Sequence, residues 1–264
     1  MFKRLMLAVF LLTVCIFVGC TIAMPIQEPS GDAPAAPVNL TGEMISPEKM
    51  ADLIGMTRGD VLGQLGVAQA DMIIDTDFTS VSVTYEYAGV TFNELLLHFA
   101  REGDAPHCDR LTGFTYRMHY AGVPETAAAD AIAVGTQLLT LHGESLDKTE
   151  SQKPMIADLS KEAIVQEIAN NSQGWSNADF WDMTTDAAEN IKGYMAICPD
   201  VVIKSPRGPE YNIVHKQHYY LDLSVTHFPS VDTTTLSLFY GLDTYRSVGA
   251  MLPGEGSATP STID

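Results

Sequence analysis

VSVTYEYAGVTFNELLLHF, residues 81–99, alternates in a way that only a sheet satisfies. Val81, Val83, Tyr85 and Tyr87 are interleaved with Ser82, Thr84 and Glu86. Ala88-Gly89 supplies a turn, and Leu95, Leu97 and Phe99 then alternate on the return strand, with His98 on its polar side. A third run follows, in which Phe114, Tyr116, Met118 and Tyr120 alternate with Thr115, Arg117 and His119. Period two with polar partners predicts antiparallel strands with one face on a core and one in water.

Upstream of these strands, Ser46-Pro47-Glu48 predicts a short helix to about Ile54. Serine suits the N-cap, and proline suits the first turn, where no N–H is required. Gly55-Met56-Thr57 breaks and restarts the chain. Thr57 caps a second helix with Val61, Leu62 and Leu65 on one face, and Gly66 ends it. The spacing G-M-T-x-x-x-V-x-x-x-L-G over 55–66, followed by strands containing Tyr85-Glu86-Tyr87 and Leu95-Leu96-Leu97-His98-Phe99, resembles the SmpA/OmlA-type lipoproteins of outer-membrane barrel assembly. More broadly it is similar to the β-lactamase-inhibitor-protein-like fold. The resemblance covers residues 46–120 at most. It implies a helix pair packed on an antiparallel sheet and a binding role, and it assigns no binding residues.

The second half has a similar outline. Pro124-Glu125 opens an alanine- and leucine-rich helix that stops at Gly143. Another helix runs from Ser160 to about Asn170. Trp175, Phe180 and Trp181 then fall in an irregular stretch, and strands are expected over Met195–Ile203, Tyr219–Val225 and Leu236–Tyr240. The expected class is therefore α+β, with two similar αα-βββ modules (46–122 and 123–247) as one possibility. No residue-by-residue repeat supports a duplication.

The N-terminus carries a different signal. Met1-Phe2-Lys3-Arg4 is basic, and Leu5 to Val18 is apolar except for Thr13. That run is shorter than the roughly 20 residues a membrane span requires and suits a secretory leader. It ends in Val18-Gly19-Cys20-Thr21, which resembles the bacterial lipobox. On that reading residues 1–19 are removed and Cys20 is acylated. The other readings are a leader cut after Ala23, with Cys20 discarded, and an uncleaved anchor. Residues 20–45, including the proline-rich PIQEPSGDAPAAPVN (25–39), are read as a flexible tether, and 248–264 as a polar, disordered tail. The expected location is extracytoplasmic, on the periplasmic face of an outer membrane or at a cell surface.

Composition limits the partners. The chain of 264 residues carries a formal charge of −18, and loss of Lys3 and Arg4 makes it more acidic still. Such a surface repels phosphate backbones and anionic headgroups, which argues against nucleic acid. Membrane attachment then falls to acyl chains, each buried methylene contributing ~0.8 kcal/mol. Cys15 lies in the leader, which leaves Cys108 and Cys198 as either two thiols or a disulfide. Closing that loop stabilises by roughly 4–5 kcal/mol in the chain-entropy model.

No strong catalytic pattern is present. His215 and His218 sit three apart on an expected strand and point to opposite faces. His218 and Asp222 share a face but make neither a zinc site nor a triad. His107-Cys108-Asp109 reads as a loop or disulfide neighbourhood. Asp71, Asp75 and Asp77 lack the further oxygens and glycine turn of a calcium loop. No metal site or cofactor is expected. Trp175, Phe180 and Trp181 have two readings, core closure between helix and sheet or a partner-binding patch. The expectation is a non-catalytic lipoprotein binding a protein or a cell-envelope component; the rival is a tethered hydrolase whose residues are scattered along the chain.

Overall fold

The structure is a computed structural model describing residues 39–68, 73–74, 78–100, 109–122, 124–146, 154–172, 174–198, 201–203, 213–215 and 217–242. Cys20, Cys108, His107, Asp71, Asp75 and Asp77 lie outside these residues. Among the described residues the strands are β1 (Leu40–Thr41), β2 (Ile73–Ile74), β3 (Phe78–Tyr87), β4 (Val90–Phe99), β5 (Leu111–Ala121), β6 (Trp175–Asp182), β7 (Val201–Ile203), β8 (Ile213–His215), β9 (Tyr219–Phe228) and β10 (Thr233–Leu242). The α-helices among the described residues are α1 (Pro47–Asp52), α2 (Arg58–Leu65), α3 (Pro124–His142), α4 (Lys161–Asn170) and α5 (Glu189–Ile197). The class is α+β.

One sheet carries most strands, in the order β1-β3-β4-β5-β10-β9-β6, with β2 beside β3; β7 and β8 form a separate pair. All pairings are antiparallel except β1, which runs parallel to β3 and seats Leu40 opposite Val83. Leu40 is buried, so the folded part begins inside the segment 20–45 read as a tether. A two-residue strand is too short to show a period in sequence. Ala88 and Gly89, both with positive φ (51° and 80°), make the tight β3–β4 turn that suits strand twist.

The helix signals hold. Ser46 and Thr57 accept the backbone N–H of Lys49 and Asp60, and Ser160 that of Ala163. Gly66 ends α2 in the left-handed conformation at φ 65°, where a Cβ would be strained. The buried apolar residues of all five helices belong to one core, together with Val81, Phe92, Leu95, Leu97, Tyr116, Leu223, Leu236 and Leu238. These strand residues share one face by register, so the helices cover that face. In α3 the buried positions Ala127, Ala128, Ala131 and Gly135 are small. A Cβ at Gly135 would stand 3.3 Å from a Leu223 methyl, so the helix lies close on the sheet.

Two similar modules are not what the structure shows. Between β6 and β9 the second half inserts α5 and the β7–β8 pair. Its helices α3 and α4 have 19 and 10 residues against 6 and 8 in α1 and α2. The described residues fall in a single compact unit, and β5 pairs with β10 directly across the two halves.

Two element assignments differ from the sequence reading. The stretch 175–182 is a strand; its inward positions include Asn177 and the buried Asp179, and polar groups there hide the alternation. Asp179 accepts the backbone N–H of Ile156 at 2.9 Å, which satisfies both groups in the interior. The expected strand from Met195 is instead the end of α5, which buries Ile191 and Tyr194; strand structure resumes at Val201–Ile203.

Candidate functional site

The second face of the sheet carries no described helix, and its side chains follow from register alone. Ser82, Glu94, Arg117, Ser237, Ser224 and Ala178 form one rung, and Ser80, Leu96, Thr115, Phe239, Asp222 and Phe180 the next. On the far side of the first rung lie His119, Thr235, Thr226 and Ser176. Serine and threonine dominate because these positions alternate with the apolar ones facing the core.

Near the middle the hydroxyls and charges converge. His119 Nε2 hydrogen-bonds Glu94 Oε2 at 3.0 Å, and its Nδ1 hydrogen-bonds Thr235 Oγ1 at 2.9 Å. Ser80 donates to the other Glu94 oxygen at 2.5 Å, and Arg117 Nη1 stands 4.0 Å from Glu94. The His119 hydrogen bond holds the Glu94 carboxyl below its ordinary range; Ser80 and Arg117 add to this, while burial works against it. His98 is joined to Thr115 at 2.7 Å, and burial, reinforced by the charge of Arg117, lowers it to about 4.

These rungs border a groove of about 420 Å³ lined by Arg117, His119, Asp222, Ser224, Thr226 and Thr235, with Phe228 and Val231 at its edge. Phe228 is 48% and Val231 66% exposed. Arg117 Nε is buried and has no hydrogen-bond partner. Beside the groove, Gly113 and Gly241 face each other across β5 and β10. A Cβ on Gly241 would come within 2.5 Å of the Phe239 ring, so the ring lies across both glycines with His98 edge-on to it at 5.6 Å.

The residues singled out from sequence are dispersed. Trp181 is 4% exposed and donates from its indole to Gly143 O at 3.0 Å, closing the core as a strut to the end of α3. Trp175 is half-buried against the same core. Phe180 points to the opposite face, because it is adjacent to Trp181 on a regular strand. The three therefore do not form one partner-binding patch. Cys198 caps α5 and is half-buried; its pairing with Cys108 involves a residue outside the described range. His218 meets Asp182 at 3.0 Å rather than Asp222. Burial opposes the charge on Asp182, yet hydrogen bonds from Thr184 and His218 hold its carboxyl below the usual range. Among the described residues no group of three or more His, Cys, Asp or Glu is placed to hold a metal, and no helix is long and apolar enough to cross a membrane.

No family model, curated protein or solved structure matches the chain. The polar face itself therefore carries the functional argument. The sequence puts His98 and His119 on polar faces of their strands but does not reveal their partners. His119 and Thr235 are 116 residues apart, and no local spacing encodes that pairing.

Proposed function

We propose that the chain is a non-catalytic lipoprotein, anchored through acyl chains on Cys20, whose polar sheet face binds a protein partner in the cell envelope. The observation that carries this reading is the groove over β5, β10 and β9. It combines a half-exposed Arg117, a floor of short hydroxyls and an apolar edge at Phe228 and Val231. Small side chains on a regular sheet make a stiff surface that loses little entropy on binding, and a central arginine with an apolar rim matches the residue types that dominate interfaces. The leader, the lipobox-like Cys20 and the acidic balance support attachment by lipid, and the SmpA/OmlA-like segment agrees with an adaptor role.

One observation favours the hydrolase reading: Thr235, His119 and Glu94 form a hydroxyl–imidazole–carboxylate chain of the kind that activates nucleophiles. Its surroundings weigh against catalysis. Thr235 is 6% exposed on a strand paired on both sides. The backbone N–H groups around it are engaged in the ladders, so the sheet offers no pair of free amides for an oxyanion.

Both parts are open to experiment. A photo-crosslinking side chain at Ser224, inside the groove, is expected to trap one envelope protein in cells. The same group at the exposed Lys161 on α4 traps none of it. Equal labelling from both positions overturns the sheet-face site. Cys20→Ser is expected to abolish membrane association, and retention of that variant on membranes overturns the anchor.

A further inference from the structure

On the helix-covered side, where α1, α5 and the end of α3 leave the sheet uncovered, lies a cleft of about 460 Å³. Four tyrosines line it: Tyr85 and Tyr87 from β3, Tyr219 from β9 and Tyr240 from β10. The Tyr85 and Tyr87 rings are near parallel, with centroids 6.5 Å apart and planes at 20°. Tyr85 is backed by Tyr116 at 4.3 Å, and Tyr240 stacks on Phe114 at 5.3 Å, so the walls are held by the core behind them. Glu48, Asp52 and Asp186 line the same cleft, all of them exposed, and among the described residues no lysine or arginine does. Burial, with the charge of Glu48 adding to it, keeps the phenols of Tyr85, Tyr87 and Tyr219 in the neutral form. The charge of Glu48 therefore reaches strands from both halves of the sheet.

Aromatic faces are negative, and a cation within about 6 Å of a ring centroid is attracted to them. A primary ammonium entering such a cleft needs several hydrogen-bond acceptors to replace its water. A quaternary ammonium needs none and places methyl groups against rings. The volume suits a small solute, since ligand pockets span roughly 300–1,000 Å³. We propose that this cleft is a binding site for a small organic cation of the quaternary-ammonium type, seated on the tyrosine wall and neutralised by Glu48, Asp52 and Asp186. The cleft is on the opposite side of the sheet from the groove, and the site stands or falls without it.

The test uses the full chain and choline as the probe, followed by titration calorimetry and by the emission of Trp181, whose ring lies 6.5 Å from the cleft residue His142. Choline is expected to bind saturably, and its neutral isostere 3,3-dimethylbutanol about tenfold more weakly or not at all. Tyr87→Leu and the surface change Glu48→Gln each weaken choline several-fold, with thermal melts confirming that both variants fold. Arg117→Ala, in the sheet-face groove, leaves choline binding unchanged. Phosphocholine separates the sources of the cation: weaker binding than choline assigns a free solute, and equal binding assigns a lipid headgroup. Equal binding of choline and the neutral isostere, or no saturation at all, overturns the proposal.

Discussion

The two faces of the sheet are made by the same strands and obey opposite rules. On β10, Leu236 and Leu238 are fully buried under the helices, whereas their neighbours Ser237 and Phe239 face the other way. On β5 the same alternation sets Tyr116 against the core and Arg117 in the groove. The covered face is apolar and interlocked with five helices. The other carries mostly hydroxyls, one cluster of charge and an apolar row at Leu96, Phe239 and Phe180, of which Leu96 is buried. Most of the apolar burial is thus on one face, which leaves the groove over β5, β10 and β9 on the other to carry chemistry at small cost to the fold. That division is what a binding surface on a rigid sheet requires, and it can be broken experimentally one residue at a time.

The largest effect is expected on the covered face. Leu238→Ala removes a fully buried side chain from the single core and is expected to cost roughly 2–5 kcal/mol, read as a shift in the urea midpoint at unchanged slope. A cost below about 1 kcal/mol would mean that the helices do not clamp this face and that the contrast between the faces is false.

The second effect concerns the boundary between the two regimes, at His98, which lies on the hydroxyl-bearing face and is half-buried. Its folded-state value of about 4 lies below its ordinary 6.5, so the folded chain resists protonating it. The stability this provides is complete above pH 6.5 and is lost as pH falls toward 4, because the unfolded chain takes up the proton first. The expected slope from this residue approaches about 1.4 kcal/mol per pH unit within that window. His98→Leu is expected to flatten the curve between pH 6.5 and 4 while leaving the steeper acid limb below it. Glu94, whose carboxyl is held below its usual range, contributes to that limb: its stabilisation is present above the ordinary carboxylate range and is lost as pH falls through its lowered value. An unchanged profile for His98→Leu would place the titration elsewhere.

Local chemistry made much of this fold readable. Ser46, Thr57 and Ser160 act as N-caps, Gly66 ends α2, and the alternation from Val81 to Phe99 defines a hairpin, because each signal is complete within a few residues. Alternation failed at β6, where Asp179 takes a core position by satisfying the Ile156 amide. It failed at α5 as well, where an apolar run around Met195 fits a buried helix end as readily as a strand. The groove was legible only as polar positions on separate strands. Its assembly depends on β5 meeting β10, a pairing between residues more than a hundred apart that puts His119 beside Thr235 and Arg117 beside Ser237. The tyrosine cleft is hidden in the sequence for the same reason: Tyr85, Tyr219 and Tyr240 come from three strands, and each looks like an ordinary member of an alternating run.

The smallest effect sharpens the comparison most, because it concerns the residue next to Leu238. Ser237 lies between Arg117 and Ser224 on its rung and is half-buried, lining the groove. Ser237→Ala removes one oxygen from a position that no helix covers and keeps the Cβ and the strand ladder intact. Its stability is expected to stay within about 0.5 kcal/mol of the parent, an order of magnitude less than the change one residue away. A bulky charge at the same point, Ser237→Glu, should also fold with a near-parental urea midpoint, since the groove has room and solvent. In cells it is expected to abolish crosslinking from Ser224, because a second carboxylate beside Arg117 fills the groove and pairs with the guanidinium. If Ser237→Glu unfolds the chain, this face is packed as tightly as the other, and the separation of stability from binding fails at its centre.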